Sequence, residues 1–212
     1  MEASGFAAWL NTVFSGFDYG ILRALHELAQ ITEGSLSPAF EVISLISEKG
    51  IGMFLLGIIL FCFKKTRKAG FCVFAAVCCG AVITNIVLKD MVGRARPFLA
   101  IAVQDYGQWW AFVGSPAESG FSFPSGHATA AMAAMTALFL SFSKQRSWPL
   151  FGFVLLMGVS RCYLMVHYPS DILGGILAGA VAALLSFYIT QAFYERIAAY
   201  LFKVLSIGKR QA

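Results

Sequence analysis

Residues 71–88 carry no charged side chain, and the run stops at Lys89. A stretch of that length and apolarity needs either a large protein core or a hydrocarbon layer around it. In hydrocarbon the backbone has no water to bond to, so the segment must close its own hydrogen bonds as a helix. Similar runs occupy residues 51–63, about 127–142, about 148–166 and 172–193. The first of these is short, and Gly50 with snorkelling of Lys64 and Lys65 extends it. Only 13% of the 212 residues are charged, where soluble domains average about 25%. The fold class that follows is all-α: an integral membrane helical bundle of about five transmembrane helices.

Residues 1–50 follow another pattern. Leu22, Leu25, Ala29 and Ile31 alternate with Arg23, His26 and Glu27, while Phe40, Ile43, Leu45 and Ile46 are interrupted by Glu41, Glu48 and Lys49. They read as two amphipathic helices lying in the membrane interface, broken at Gly34, Ser35 and Pro38. A further span within residues 5–25 is the alternative. Three units result: interfacial helices at 1–50, a transmembrane core at 51–195 and a basic cytoplasmic tail at 196–212. Glu2, standing where a basic leader would begin, predicts no cleaved secretory signal. The five cysteines sit in apolar stretches without paired metal spacing, which makes them packing or lipid-facing residues.

Charge placement orients the bundle. Lys64, Lys65, Arg67 and Lys68, then Lys144 and Arg146, then Arg196, Lys203, Lys209 and Arg210 all fall on one side of five crossings. The positive-inside rule makes that side cytoplasmic. It also accounts for the net charge of +5, so the expected partner is a lipid bilayer and not nucleic acid. Trp109 and Trp110, in a loop over residues 98–123, suit the headgroup region. Lys89, Arg94, Arg96, His127, Arg161, His167 and Asp171 then share the opposite, extracytoplasmic face.

Three polar stretches meet there. Lys89 and Arg96 are seven residues apart and share a face if the helix continues, with Pro97 ending it. Standing where Lys and Arg should be scarce, they point to an anion site rather than a snorkelling collar. In the second stretch Ser125 is a natural N-cap, Gly126 lets backbone come close, and the alanine-rich run after His127 is a strong helix former. A helix N-terminus of this kind binds phosphate readily, and His127 can donate a proton there. In the third, Arg161 can grip phosphate oxygens in a planar fork. His167 can serve as nucleophile or base, and Asp171 can orient it across a turn that Pro169 opens. Charges this close to a hydrocarbon layer point to function by default.

The order and spacing of Lys89 with Arg96-Pro97, of Pro124-Ser125-Gly126-His127, and of Ser160-Arg161 with His167 and Asp171 resemble the type 2 phosphatidic acid phosphatase family, over about residues 50–195. The resemblance implies a lipid phosphatase in which His167 attacks phosphorus and forms a phosphohistidine, Asp171 orients it, and His127 protonates the leaving group. Lys89, Arg96, Arg161, Ser125 and the Gly126 backbone would hold phosphate oxygens. It implies no cofactor and no metal, fixed cations taking the place of magnesium. By the same resemblance the substrate is a membrane lipid phosphate or diphosphate, with undecaprenyl diphosphate preferred. Phosphatidylglycerophosphate, phosphatidate and diacylglycerol diphosphate are the alternatives. Six-span relatives have an additional apolar helix for which residues 1–50 show no continuous run. Competing readings are vanadate-dependent halide oxidation, a headgroup-binding transport protein, and a metal site built from His127, His167 and Asp171.

Overall fold

The computed structural model describes residues 4–100 and 104–208; Glu2, Lys209 and Arg210 of the sequence reading lie outside them. The described residues form helices and connecting turns, with no strand among them. In chain order the helices are α1 (Gly5–Val13), α2 (Ser15–Ile31), α3 (Ser37–Ile46), α4 (Ile51–Cys62) and α5 (Arg67–Ala81). A π-helical turn (Val82–Leu88) joins α5 to α6 (Lys89–Val92), and α7 (Gln104–Phe112), α8 (Gly126–Ser141), α9 (Lys144–Ser147), α10 (Leu150–Tyr163) and α11 (Pro169–Gly208) complete the chain. The five apolar runs fall on α4, α5, α8, α10 and α11.

Helix α8 is the axis of the bundle. Ala128, Ala130, Ala131, Ala133, Ala134 and Ala137 are all buried, so it is apolar on every side and can be surrounded. Its alanines let α5, α10 and α11 pack around it. The closest approach is to α11, where Gly175 and Gly179, one turn apart, face Ala128, Thr129 and Met132. Small residues at that spacing are what brings two helix backbones together inside a membrane.

Among the described residues two helices are long and apolar enough to cross a bilayer, Arg67–Leu99 and Pro169–Tyr194. A third crossing results if the pair Ser37–Ile46 and Ile51–Cys62, bent by 48°, acts as one. Residues 37–50 belong to the segment expected as interfacial helices. Here α3 runs into α4 across Gly50, whose φ of +76° only glycine adopts without strain, and α3 packs on α10. The apolar helix α8 would be about 24 Å long, short of a hydrocarbon core of about 30 Å.

The interfacial helices also turn out differently oriented. Helix α2 directs Asp18, Leu22, His26 and Ala29 inward, while Phe6, Trp9, Val13, Phe17 and Ile21 remain exposed on the outside of α1 and α2. An apolar exterior with polar groups inside is the arrangement that a lipid surrounding favours. The expected loop at 98–123 contains α7, and its tryptophans pack on aromatic neighbours. Trp109 is buried and stacks on His26 with ring centroids 4.9 Å apart; Trp110 stacks on Phe98. Packing an aromatic face against another ring gains more than leaving it at the surface.

The π-helical turn places one extra residue in the helix, a feature that often marks functional sites. Its Thr84 is buried and donates to the Thr129 hydroxyl at 3.0 Å, while Thr129 donates to the Ser125 carbonyl at 2.9 Å. This chain of hydroxyls ties the turn before Lys89 to the start of α8. Thr84→Val should lower stability by about 1 kcal/mol, read as a fall in the melting temperature of the detergent-solubilised protein.

Candidate active site

The starts of α8 and α11 are joined directly. The Ser125 amide donates to the Asp171 carbonyl at 3.1 Å, and the Ser125 hydroxyl accepts from the Ala128 amide at 3.5 Å, capping α8 as expected. Between α10 and α11 the chain turns through Met165, at φ +56°, and delivers His167 beside the first turn of α11. Asp171, in that first turn, reaches back to accept from the Tyr168 amide at 2.8 Å. One carboxylate thus caps a helix and faces the imidazole.

The helix that would put Lys89 and Arg96 on one face does not continue between them. Helix α6 stops at Gly93, which takes the left-handed conformation at φ +65°, and Arg96 is extended. The chain reverses there instead of at Pro97, which opens a 3₁₀ turn. The reversal still returns Arg96 to the same cavity as Lys89, by a bend rather than along a helix face.

That cavity has a volume of about 280 Å³ and is lined by Lys89, Arg96, Glu118, Gly126, His127 and His167. His167 is buried, and its two nitrogens have distinct neighbours. Nε2 lies 3.4 Å from an Arg96 nitrogen, and Nδ1 lies 3.5 Å from Asp171 Oδ2. A guanidinium can only donate, so Nε2 presents its lone pair and Nδ1 holds the hydrogen facing Asp171. Burial, together with Arg96, Arg161 and Lys89, holds this imidazole well below its ordinary pKa range. A neutral imidazole with Nε2 unprotonated and facing cations is arranged as a nucleophile towards an anion. A Cβ on Gly126 would approach Asn85 only at an ordinary 3.6 Å, so the protein does not need glycine there; its absence leaves room in the cavity.

Other expected residues sit differently. Ser125 is buried and engaged in its cap, away from the cavity lining. Arg161 is buried, bonded to the Ser44 hydroxyl and the Glu118 carboxylate, and lines an adjoining cavity. His127 and Glu118 border both spaces. The second is acidic, with Glu41, Glu48 and Glu118 around Arg161, which leaves the first as the better anion site. Among the described residues no three His, Cys, Asp or Glu side chains group to hold a metal ion, so His127, His167 and Asp171 do not make a ligand set.

Four further residues surround the site, and of these the sequence reading named only Arg94, among the residues of the extracytoplasmic face. Glu118 bridges Arg96, at 3.2 Å, and Arg161. Ser122 donates to Asp171 Oδ2. Arg94 binds Asp171 Oδ1 at 2.7 Å and Asp18 at 2.8 Å. Arg94 alone left a signal, a second arginine beside Arg96 on a face that should be poor in cations. Glu118 and Ser122 stand just before Pro124 but carry no pattern of their own, and Asp18 lies far from the motifs in sequence.

Residues 51–195 match the family model of the PAP2 superfamily. The chain is 32% identical to phosphatidylglycerophosphatase B of Bacillus subtilis over 74% of its length and 76% of the relative's. It is 31% identical to the undecaprenyl-diphosphatase BcrC of the same organism, over 80% of this chain and 82% of that one. Among solved structures, the crystal structure of Aquifex aeolicus LpxE is similar with a TM-score of 0.60 and 27% identity, covering 76% of this chain and 93% of that one. With its three motifs gathered at the starts of two adjacent helices and its core matched throughout, this chain belongs to the PAP2 superfamily of membrane lipid phosphatases.

Proposed function

We propose that the chain hydrolyses undecaprenyl diphosphate to undecaprenyl phosphate and inorganic phosphate, as a multi-pass protein of the cell membrane with its site on the extracytoplasmic face. The observation that carries the chemistry is His167 Nε2, 3.4 Å from an Arg96 nitrogen in a cavity shared with Lys89 and His127. Nε2 attacks the terminal phosphorus and the bond to the bridging oxygen breaks. His127, which takes up a proton as the anionic headgroup enters, gives it to that oxygen, so the lipid leaves as the monophosphate. Water then attacks the phosphohistidine, with His127 taking a proton, and phosphate departs. Throughout, Asp171 holds the imidazole in one tautomer and balances its positive charge. Lys89 and Arg96 stabilise the charge on the equatorial oxygens, and Arg161 joins them when its contact with Glu118 opens.

The exposed apolar outer faces of α1, α2, α10 and α11 suit a substrate whose tail stays in the bilayer while its headgroup enters the cavity. Two undecaprenyl-diphosphatases, from Bacillus subtilis and Sulfolobus acidocaldarius, are among the relatives of at least 30% identity. The relative named phosphatidylglycerophosphatase B favours phosphatidylglycerophosphate as the second reading. A phosphate-release panel decides between them. Undecaprenyl diphosphate should give the highest kcat/KM among it, phosphatidylglycerophosphate, phosphatidate and diacylglycerol diphosphate; a tenfold preference for another member overturns the assignment. Turnover should persist in a strong chelator and fall with vanadate.

The same measurements carry a pH expectation. In the free enzyme burial, and after it the cations around His167, disfavour its protonation, so the nucleophile stays neutral as pH falls through 6.5. The acid limb of kcat/KM, which reports the free enzyme, should therefore lie below pH 6.5. A limb above that value would mean that His167 is not held by its neighbours as described.

A further inference from the structure

Asp18 lies in α2, outside the segment that matches the family model, yet it is 2% exposed and bonded to the start of α11. Its Oδ1 accepts from the Ser170 amide at 2.8 Å, and its Oδ2 accepts from the Ser170 hydroxyl at 2.6 Å and from Arg94 at 2.8 Å. Arg94 donates onward to Asp171 Oδ1 at 2.7 Å, to the Ser170 hydroxyl at 2.7 Å and to Asn11 at 2.8 Å. Its guanidinium also stacks over Tyr168, 3.9 Å from the ring centroid. The result is a fixed sequence of contacts from α2, through Arg94 and Ser170, to the carboxylate that faces His167.

Apolar contacts could dock α2 on the bundle without burying two carboxylates and an arginine, which costs desolvation energy. What the ion pairs add is direction. Asp171 Oδ1 is held by Arg94, while Oδ2 accepts from Ser122 and the Tyr168 amide and lies 3.5 Å from His167 Nδ1. From this we infer that Asp18 and Arg94 are positioning residues for phosphoryl transfer, so that the N-terminal helices complete the catalytic unit. The inference rests on the phosphohistidine reading above. Asp18 fixes Arg94 and the first turn of α11, Arg94 fixes Asp171, and Asp171 fixes the imidazole. None of the three need touch the substrate.

The test is a comparison of kcat and KM for phosphate release from undecaprenyl diphosphate by the full chain in detergent. Supporting shells of this kind are worth about 10- to 100-fold. Asp18→Asn should lower kcat by about that factor with KM changed less than twofold, whereas Lys89→Ala should raise KM. Arg94→Lys, which keeps the charge, should retain more kcat than Arg94→Met. Adding Asp18→Asn to Asp171→Asn should cause no further loss, since both act through one carboxylate. Wild-type kcat in Asp18→Asn overturns the inference, and so does an independent loss in the double variant. If Asp18→Asn lowers kcat only in step with a lost melting transition, the role is structural and the inference is likewise overturned. Failure of the phosphatase reading shows separately, as a wild-type enzyme whose turnover survives His167→Ala.

Discussion

His167→Ala should abolish phosphate release, by about 10⁴-fold or more, while the protein still folds and inserts. The expected size follows from the step that is lost. Without Nε2 there is no phosphohistidine, and water would have to attack a phosphorus surrounded by negative oxygens without a base placed behind it. Electrostatic stabilisation by Lys89 and Arg96 would persist, so the residue of activity reports what the cations do alone. The fold should tolerate the change because Asp171 keeps Arg94, Ser122 and the Tyr168 amide as partners. Two measurements check it: steady-state phosphate release, and acid-labile radioactive labelling of the protein by substrate carrying a labelled terminal phosphate. The wild type should label transiently and His167→Ala not at all. His127→Ala should behave differently, losing less with a substrate whose leaving oxygen needs no proton. Hydrolysis retained in His167→Ala would remove the nucleophile from the mechanism.

The grouping of Lys89, Arg96, His127, His167 and Asp171 was legible because each residue sits in a short motif at the end of an apolar run. In the structure the packing of α5, α10 and α11 on α8 brings these ends together. Helix starts at Ser125 and Pro169 were legible for a local reason as well, since a capping hydroxyl and an N1 proline act within one turn. The path between Lys89 and Arg96 was not, because a two-turn separation fits a helix and a reversal equally, and Gly93 decides it. Asp18, Ser122 and Glu118 were illegible for another reason. A single acidic or hydroxyl residue in a mixed segment carries no period, and what makes these three part of the site is contact across the fold. The inward turn of Asp18 and His26 also escaped a reading in which water lies on the polar side of a helix. Beside lipid the polar side is the inner one.

Gly179→Val should cost both fold and activity, because it acts on the contact that brings the two histidines together. A Cβ at position 179 would meet the Thr129 carbonyl at 2.5 Å and Met132 Cβ at 2.8 Å, and at position 175 the Ser125 carbonyl at 2.6 Å. Real Cβ atoms do not come so close to backbone, and two further methyls from valine leave the helices no option but to separate. Overpacking of a well-filled core costs about 1–3 kcal/mol, and more where backbone is the obstacle. The effect on turnover should exceed the effect on stability. Separation of α8 from α11 carries His127 away from His167, and a displacement of about 1 Å can cost about 10²-fold in rate. Gly179→Ala should give a smaller loss of the same kind, whereas alanine at Gly152, where a Cβ meets nothing within 4 Å, should leave both quantities near wild type. Melting temperature and kcat, measured in the same detergent for the three variants, check the ordering. Wild-type kcat in Gly179→Val would mean that the α8–α11 contact does not set the distance across the site.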